Sequence, residues 1–249
     1  MSMKSVGIIP ARYSSSRFPG KPLALIHGKP MILWVCEQAN LCSELERVVV
    51  ATDDNRIYDT VANAGYEVVM TGSHHPSGTD RIAEAAQILA LPKEAMVLNI
   101  QGDEPFIKPE QIVELSQQLN NQTVGIATLA SIIQNNDELT RISIPKVVLD
   151  SNRFALYFSR HSIPFLRPDS PMPADLVWYK HIGLYGFRNE VLQELVKLPL
   201  SALELAEGLE QLRWLYFGYK IKVGITKYTN HAIDTPEDLE RINQMQPPY

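Results

Sequence analysis

Cysteine and long apolar runs are scarce in this chain, and each scarcity excludes a class of protein. The two cysteines, Cys36 and Cys42, sit in an apolar helical stretch. They read as reduced core thiols, not as a disulfide framework or a zinc site. No apolar run approaches the roughly 18 residues that a membrane span needs. Met1 to Ala11 carries a single lysine and too short an apolar stretch for a signal peptide, so the expected location is the cytoplasm, with no membrane partner. Repeats and low-complexity linkers are absent. A net charge of -5 argues against nucleic acid as a partner. Acid is missing altogether from residues 1–36, which hold Lys4, Arg12, Arg17, Lys21 and Lys29. A positive segment in an acidic chain suits a compact anion such as a phosphate chain, or is a basic surface patch.

What is present is the make-up of an ordinary globular protein: 45% hydrophobic and 20% charged residues over 249 positions. Short apolar runs at Val6–Pro10, Arg47–Ala51, Tyr66–Met70 and Ala95–Ile100 read as strands. Helical patterns separate them: Pro30 to Leu41, a helix capped by Asp53 or Asp54 running to about Ala64, and one after Ser77 and Thr79 running to about Leu91. This alternation predicts a largely parallel sheet with helices on both faces, with ligands beyond the carboxyl ends of the strands. The second half is less regular. A helix is expected over Pro109–Leu119, strands at Val124–Ala130, Lys146–Leu149, Phe154–Phe158, Lys180–Phe187 and Ile221–Thr226, and helices over Glu204–Leu215 and from Pro236 to about Met245. Its antiparallel pairs suggest a smaller mixed sheet, and the prolines of residues 164–175 a loop.

Three segments carry candidate chemistry. Pro10-Ala-Arg-Tyr-Ser-Ser-Ser-Arg-Phe-Pro-Gly-Lys-Pro22 follows the first strand. Its backbone N–H groups and cations fit a phosphate chain, although it is neither G-x-x-x-x-G-K-[ST] nor G-x-G-x-x-G. Asn99-Ile-Gln-Gly-Asp-Glu-Pro105 puts two acids at the end of the fourth strand, where they hold a hard divalent ion or merely face water on a turn. In Asp234-Thr-Pro-Glu-Asp238, Thr235, Pro236 and Asp238 start a helix, and Asp234 is left over. His74 and His75 have no acid or cysteine at ligand spacing and read as loop residues.

These segments occur in order with Ser77-Gly-Thr-Asp-Arg81, Lys146-Val-Val-Leu-Asp150, Tyr157-Phe-Ser-Arg160 and Leu209-Glu-Gln-Leu-Arg213. In this the chain resembles the 3-deoxy-manno-octulosonate (Kdo) cytidylyltransferases from about Val6 to Arg241. The resemblance implies an α/β nucleotide-diphospho-sugar transferase fold in a single domain over 1–249. About 1–130 would bind nucleotide, about 131–230 the sugar and a second subunit, and 231–249 would close the site. It also implies Mg²⁺, CTP, an acidic eight-carbon sugar, a homodimer and a role in making the lipopolysaccharide inner core. By position, Arg12, Lys21, Asp103 and Asp234 would be catalytic, with Asp103 and Asp234 as metal ligands. Pro10, Ala11, Arg17, Ser77, Thr79 and Arg81 would join Arg12, Lys21 and Asp103 around the nucleotide. Gln101, Arg160, His181, Tyr185, Glu210 and Gln211 would line the sugar pocket.

The chain departs from the family pattern at Ile142-Ser-Ile-Pro145, at Lys180-His-Ile-Gly-Leu-Tyr185 and at Glu204-Leu-Ala-Glu207, all in the sugar half. That admits the 8-amino-3,8-dideoxy analogue of Kdo as the sugar. Rival expectations are a sialic-acid cytidylyltransferase or a guanylyl enzyme, a nucleotide-sugar binding protein that has lost catalysis, and a nicotinamide dehydrogenase. The last lacks G-x-G-x-x-G after its first strand.

Overall fold

The structure is a computed structural model that describes residues 5–14, 18–169, 171–229 and 232–244. Its first half is β1 (Ser5–Ala11), β2 (Leu25–Ile26), β3 (Lys29–Pro30), α1 (Met31–Asn40), β4 (Leu45–Thr52), α2 (Asn55–Asn63), β5 (Glu67–Met70), α3 (Gly78–Ile88) and β6 (Met96–Asn99). There follow α4 (Pro109–Gln118), β7 (Ile126–Ile132), α5 (Asn136–Thr140), β8 (Lys146–Leu149), β9 (Ala155–Ser159) and β10 (Tyr179–Arg188). The chain ends with α6 (Asn189–Leu195), α7 (Ala202–Glu207), α8 (Gln211–Tyr216), β11 (Ile221–Ile225) and α9 (Pro236–Gln244).

A nine-stranded sheet runs β11-β7-β10-β6-β1-β4-β5, with β8 on β10 and β9 on β8. The pairs β1–β4, β1–β6, β4–β5 and β7–β11 are parallel. Strand β10 runs antiparallel between β6 and β7. Its first residues also pair with β8, which joins the predicted β8–β9 hairpin to the main sheet. The small separate sheet is β2–β3, a two-residue ladder in the first half.

Both faces of β1 are covered. Ile9 packs with α1, α2 and α4 on one side, and Ile8 with α3, α6 and α8 on the other. That is why the strand reads as a continuous apolar run without alternation. Connections from β1 go outward through β4 to β5, then return through α3 to β6 on the opposite side of β1. This reversal opens a crevice beyond the carboxyl ends of β1 and β6, the usual ligand position in such sheets. A third apolar cluster, Ile26, Met31, Trp34, Ile233 and Ile242, packs the end of the chain against its beginning.

Most predicted elements form within a residue or two of their expected bounds. The helix expected over Glu204–Leu215 is a correction. It breaks at Gly208, whose φ of 61° closes α7 in the left-handed conformation before α8 begins. Of the two candidate caps for α2, Asp54 is the one used, accepting from the Arg56 N–H at 2.9 Å. Cys36 and Cys42 are free and buried, and burial pushes the Cys36 thiol up to about 12. Among the described residues no helix is long and apolar enough to cross a membrane.

Candidate active site

The crevice holds a cleft of about 230 Å³ whose two ends differ in chemistry. One end is ionic. Lys21, in the short helical turn after the β1 loop, donates from Nζ to Asp103 Oδ2 at 2.8 Å and lies 3.6 Å from Asp234 Oδ1. Arg12 also lines the cleft. Lys21, Asp103 and Asp234 come from three places in the chain, and the two acids each have a local reason for their position. Asp103 follows Gly102, where an added Cβ would lie 2.8 Å from the Pro10 carbonyl oxygen, so only glycine lets the β6 loop close on β1. Asp234 precedes the cap of α9. Thr235 Oγ1 accepts from the Asp238 N–H at 3.2 Å while Asp238 accepts from the Thr235 N–H at 3.1 Å, the predicted capping box. The Ile233 N–H donates to the Asp103 carbonyl at 3.0 Å and ties the two acidic segments together.

The other end is lined by Ser77, Gly78, Arg81 and His75. Ser77 caps α3, accepting from the Asp80 N–H at 3.2 Å. Arg81 is almost wholly buried, and its guanidinium is committed to the fold: it donates to Thr71 Oγ1 at 2.7 Å, to the Gly72 carbonyl and to Asp53 at 3.1 Å. His75 lies in the loop before α3, as expected. It faces the cleft, and its Nε2 bonds Glu84 on α3. Glu84 also accepts from the Gly72 N–H at 2.8 Å.

Of the residues predicted around the nucleotide and metal, the cleft gathers Pro10, Ala11, Arg12 and Lys21 with Asp103 and Asp234, and adds Ser77 and Arg81 at its far end. Thr79 stands behind the surface, and its hydroxyl donates to Glu210 at 2.6 Å. Arg17 lies outside the described residues.

The residues predicted for the sugar divide. Gln101 lines the cleft and donates to the Gly183 carbonyl at 2.8 Å. The other five are not among the cleft's lining residues. Glu210 adjoins them, since its carboxylate accepts from Ser77 at 2.9 Å and pairs with Arg213 at 2.7 Å. Burial raises the Glu210 carboxyl, and the Thr79 and Ser77 hydroxyls partly offset this. Gln211 is buried at the start of α8. Arg160 is engaged by backbone, donating to the carbonyls of Glu207 at 2.6 Å, Gly208 at 3.1 Å and Ile142 at 3.3 Å.

His181 and Tyr185 are adjacent rings with centroids 5.3 Å apart, and Tyr185 also packs on Trp214. The Tyr185 hydroxyl is buried without a partner, and burial raises it well above its ordinary value. His181 Nε2 lies 3.0 Å from the Thr128 hydroxyl. Burial pushes the imidazole down from 6.5 to about 3. Below pH 6.5 the unfolded chain therefore takes up a proton that the folded chain refuses. Folding stability falls as pH drops from 6.5 toward 3, by about 1.4 kcal/mol per unit. His181→Gln should abolish that slope. Urea unfolding at pH 7 and pH 5 should show wild type losing about 2 kcal/mol more than the variant across that interval. Equal losses would contradict the assignment.

Comparison with known proteins places the family. The family model described as "Cytidylyltransferase" matches residues 6–222. The chain belongs to the cytidylyltransferase family. A Parabacteroides distasonis protein named 3-deoxy-manno-octulosonate cytidylyltransferase is 52% identical over 246 residues, covering 96% of both chains. A Shewanella pealeana relative, named 8-amino-3,8-dideoxy-manno-octulosonate cytidylyltransferase, is 49% identical over 93% of this chain and 94% of its own. Among solved structures, a CMP:2-keto-3-deoxy-manno-octonic acid synthetase complexed with CTP superposes with a TM-score of 0.89 at 39% identity, covering 96% of this chain and 97% of that one. Like these cytidylyltransferases, the chain has a mixed α/β fold around a mostly parallel sheet.

Proposed function

We propose that the chain transfers CMP from CTP to the anomeric hydroxyl of Kdo, releasing pyrophosphate. The convergence of Lys21, Asp103 and Asp234 in one cleft carries this reading. The names of the relatives and of the CTP-bound structure supply the substrates. The sugar oxygen attacks the α-phosphorus, and the bond from that phosphorus to the bridging oxygen of the β-phosphate breaks. Such transfer needs positioning and charge neutralisation more than covalent help. Lys21 and Arg12 neutralise the triphosphate at the ionic end, and the Ser77 end receives the nucleoside.

The donor set fits Mg²⁺. Two carboxylates flank one ammonium, and both offer hard oxygens. No cluster of three or more His, Cys, Asp or Glu residues able to hold a metal occurs among the described residues. That suits an ion held by one or two carboxylates plus substrate phosphates. Asp103 and Asp234 would hold it. When bound, the ion would offset charge on the phosphates and acidify the attacking hydroxyl.

The 8-amino analogue is a second reading, favoured by the Shewanella pealeana relative. The structure gives the departures from the family pattern internal duties: Lys180 pairs with Glu138, and Glu207 accepts from the Ser159 hydroxyl and the Arg160 N–H. Neither residue lines the cleft, so plain Kdo is the primary assignment. Pyrophosphate release on mixing the protein with CTP, Mg²⁺ and either Kdo, its 8-amino analogue or a sialic acid decides the matter. Absence of release with both eight-carbon sugars would overturn the proposal. A homodimer belongs to the same reading: Ile142, Leu156, Phe165 and Met172 expose apolar side chains in the second half of the chain. A solution mass of one chain would remove it.

A further inference from the structure

Within the CTP reading above, we infer that Tyr13 and Arg56 are positioning residues: the Arg56 guanidinium clamps the Tyr13 ring beside Gly20, and this clamp sets the spacing of the two cations Arg12 and Lys21. Arg12 and Lys21 line the cleft, whereas Tyr13, Gly20 and Arg56 are not among its lining residues. The clamp therefore acts through its neighbours and not by touching a ligand.

Chain order makes the connection. Tyr13 follows Arg12, and Gly20 precedes Lys21. The Gly20 N–H donates to the Tyr13 carbonyl at 2.9 Å, so the two ends of the loop are joined one residue away from each cation. Gly20 has a φ of 72°, and a Cβ added there would lie 3.1 Å from the Tyr13 ring. The left-handed backbone and the close approach of the ring both call for glycine at this position.

A second element fixes the ring. The Arg56 guanidinium carbon of α2 lies 3.3 Å from the Tyr13 ring centroid. Arg56 is itself held in a fork: its Nε donates to Asp54 Oδ1 at 3.0 Å, and its Nη2 to Asp54 Oδ2 at 2.6 Å. Asp54 is anchored in turn as the cap of α2. The Tyr13 ring also packs on the core cluster that contains Ile9 and Val35. One aromatic ring thus ties the loop to α2 and to the core. Two cations already held at a fixed spacing meet a triphosphate without an ordering cost, and that saving appears as affinity for the phosphates. The Arg56 side chain is 59% exposed, so its removal should cost the global fold little.

The test uses the intact enzyme with Mg²⁺, CTP and Kdo. In Arg56→Ala, KM for CTP should rise about two- to fivefold, the worth of an exposed cation over a ring. KM for Kdo and the thermal midpoint should stay at their wild-type values. Inorganic tripolyphosphate, used as a competitor of CTP, should lose affinity by the same factor, and cytidine should lose none. Tyr13→Leu should raise KM for CTP at least as much, while Tyr13→Phe keeps the ring and should restore it. The double variant Arg56→Ala/Tyr13→Leu should match Tyr13→Leu alone, because the guanidinium has nothing left to hold.

An unchanged KM for CTP in folded Arg56→Ala overturns the inference, whatever becomes of the Tyr13 variants. A joint rise in KM for CTP and Kdo with a lowered thermal midpoint overturns it too, by showing a general loss of structure. Additive losses in the double variant overturn the clamp, and so does a Tyr13→Phe enzyme no better than Tyr13→Leu. A wild-type enzyme inactive with CTP and both eight-carbon sugars fails the CTP reading itself, and that result is separate from the others.

Discussion

Replacing Asp103 by asparagine is expected to lower kcat by about 10²–10³, the cost of removing one preorganised charge stabiliser, or about 2.7–4 kcal/mol. Asp234→Asn should cost a similar factor. Both changes keep the side chain's shape, and both carboxylates are partly exposed, with relative exposures of 29% and 44%. Folding stability should therefore move little, as surface ion pairs are worth little. Steady-state kinetics with CTP and Kdo, beside thermal unfolding, separates the two effects. The double variant is the sharper measurement. If both carboxylates serve one cation, removing the second costs little once the first is gone, because groups acting as a unit are not additive. Additive losses would mean that Asp103 and Asp234 serve different steps. A kcat within tenfold of wild type in both single variants would remove the metal role.

The first hundred residues were legible because their strands are buried on both faces and separated by well-capped helices. Ile8 and Ile9 face opposite layers, and both are fully buried. The apolar run alone therefore marked a parallel strand and the loop after it. What the sequence hid is pairing across distance. Nothing local to Asp234 points to Lys21. They meet because the end of the chain docks on α1 and because Gly102 lets the β6 loop close on β1. The contact between His75 and Glu84 was missed for the same reason at shorter range. Glu84 stands nine positions on, outside any ligand spacing, and the turn at Gly72 folds the loop back onto α3. At Gly208 apolar residues continue at helical spacing through Leu205, Leu209 and Leu212. A glycine costs a helix only about 1 kcal/mol, so periodicity alone could not mark the break. The sugar-half residues were named by resemblance alone. Of them Gln101 lines the cleft. Tyr185 lies in the core and His181 packs against its ring, and neither lines the cleft.

Trp34→Ala should destabilise the fold strongly, because it empties the centre of the cluster that docks the chain's end. The Trp34 ring packs edge-on to Phe106 at 6.0 Å, and its Nε1 donates to the Ile26 carbonyl at 2.9 Å. Truncating a buried tryptophan costs about 3–5 kcal/mol. A deeper consequence is local. Asp234 is placed by Ile233 and by α9, and α9 is held mainly by Ile242 in this cluster and by Asn243, which bonds the Leu25 carbonyl and the His27 N–H. Few contacts hold this segment, so it can open without the sheet unfolding. Ile242→Ala should therefore lower kcat by roughly tenfold or more while shifting the thermal midpoint less than Trp34→Ala does, since an ångström of misplacement at a catalytic group can cost about 10² in rate. Full activity in Ile242→Ala would show that Asp234 is held by something other than this cluster, and the link from apolar packing to the ionic end of the cleft would be lost.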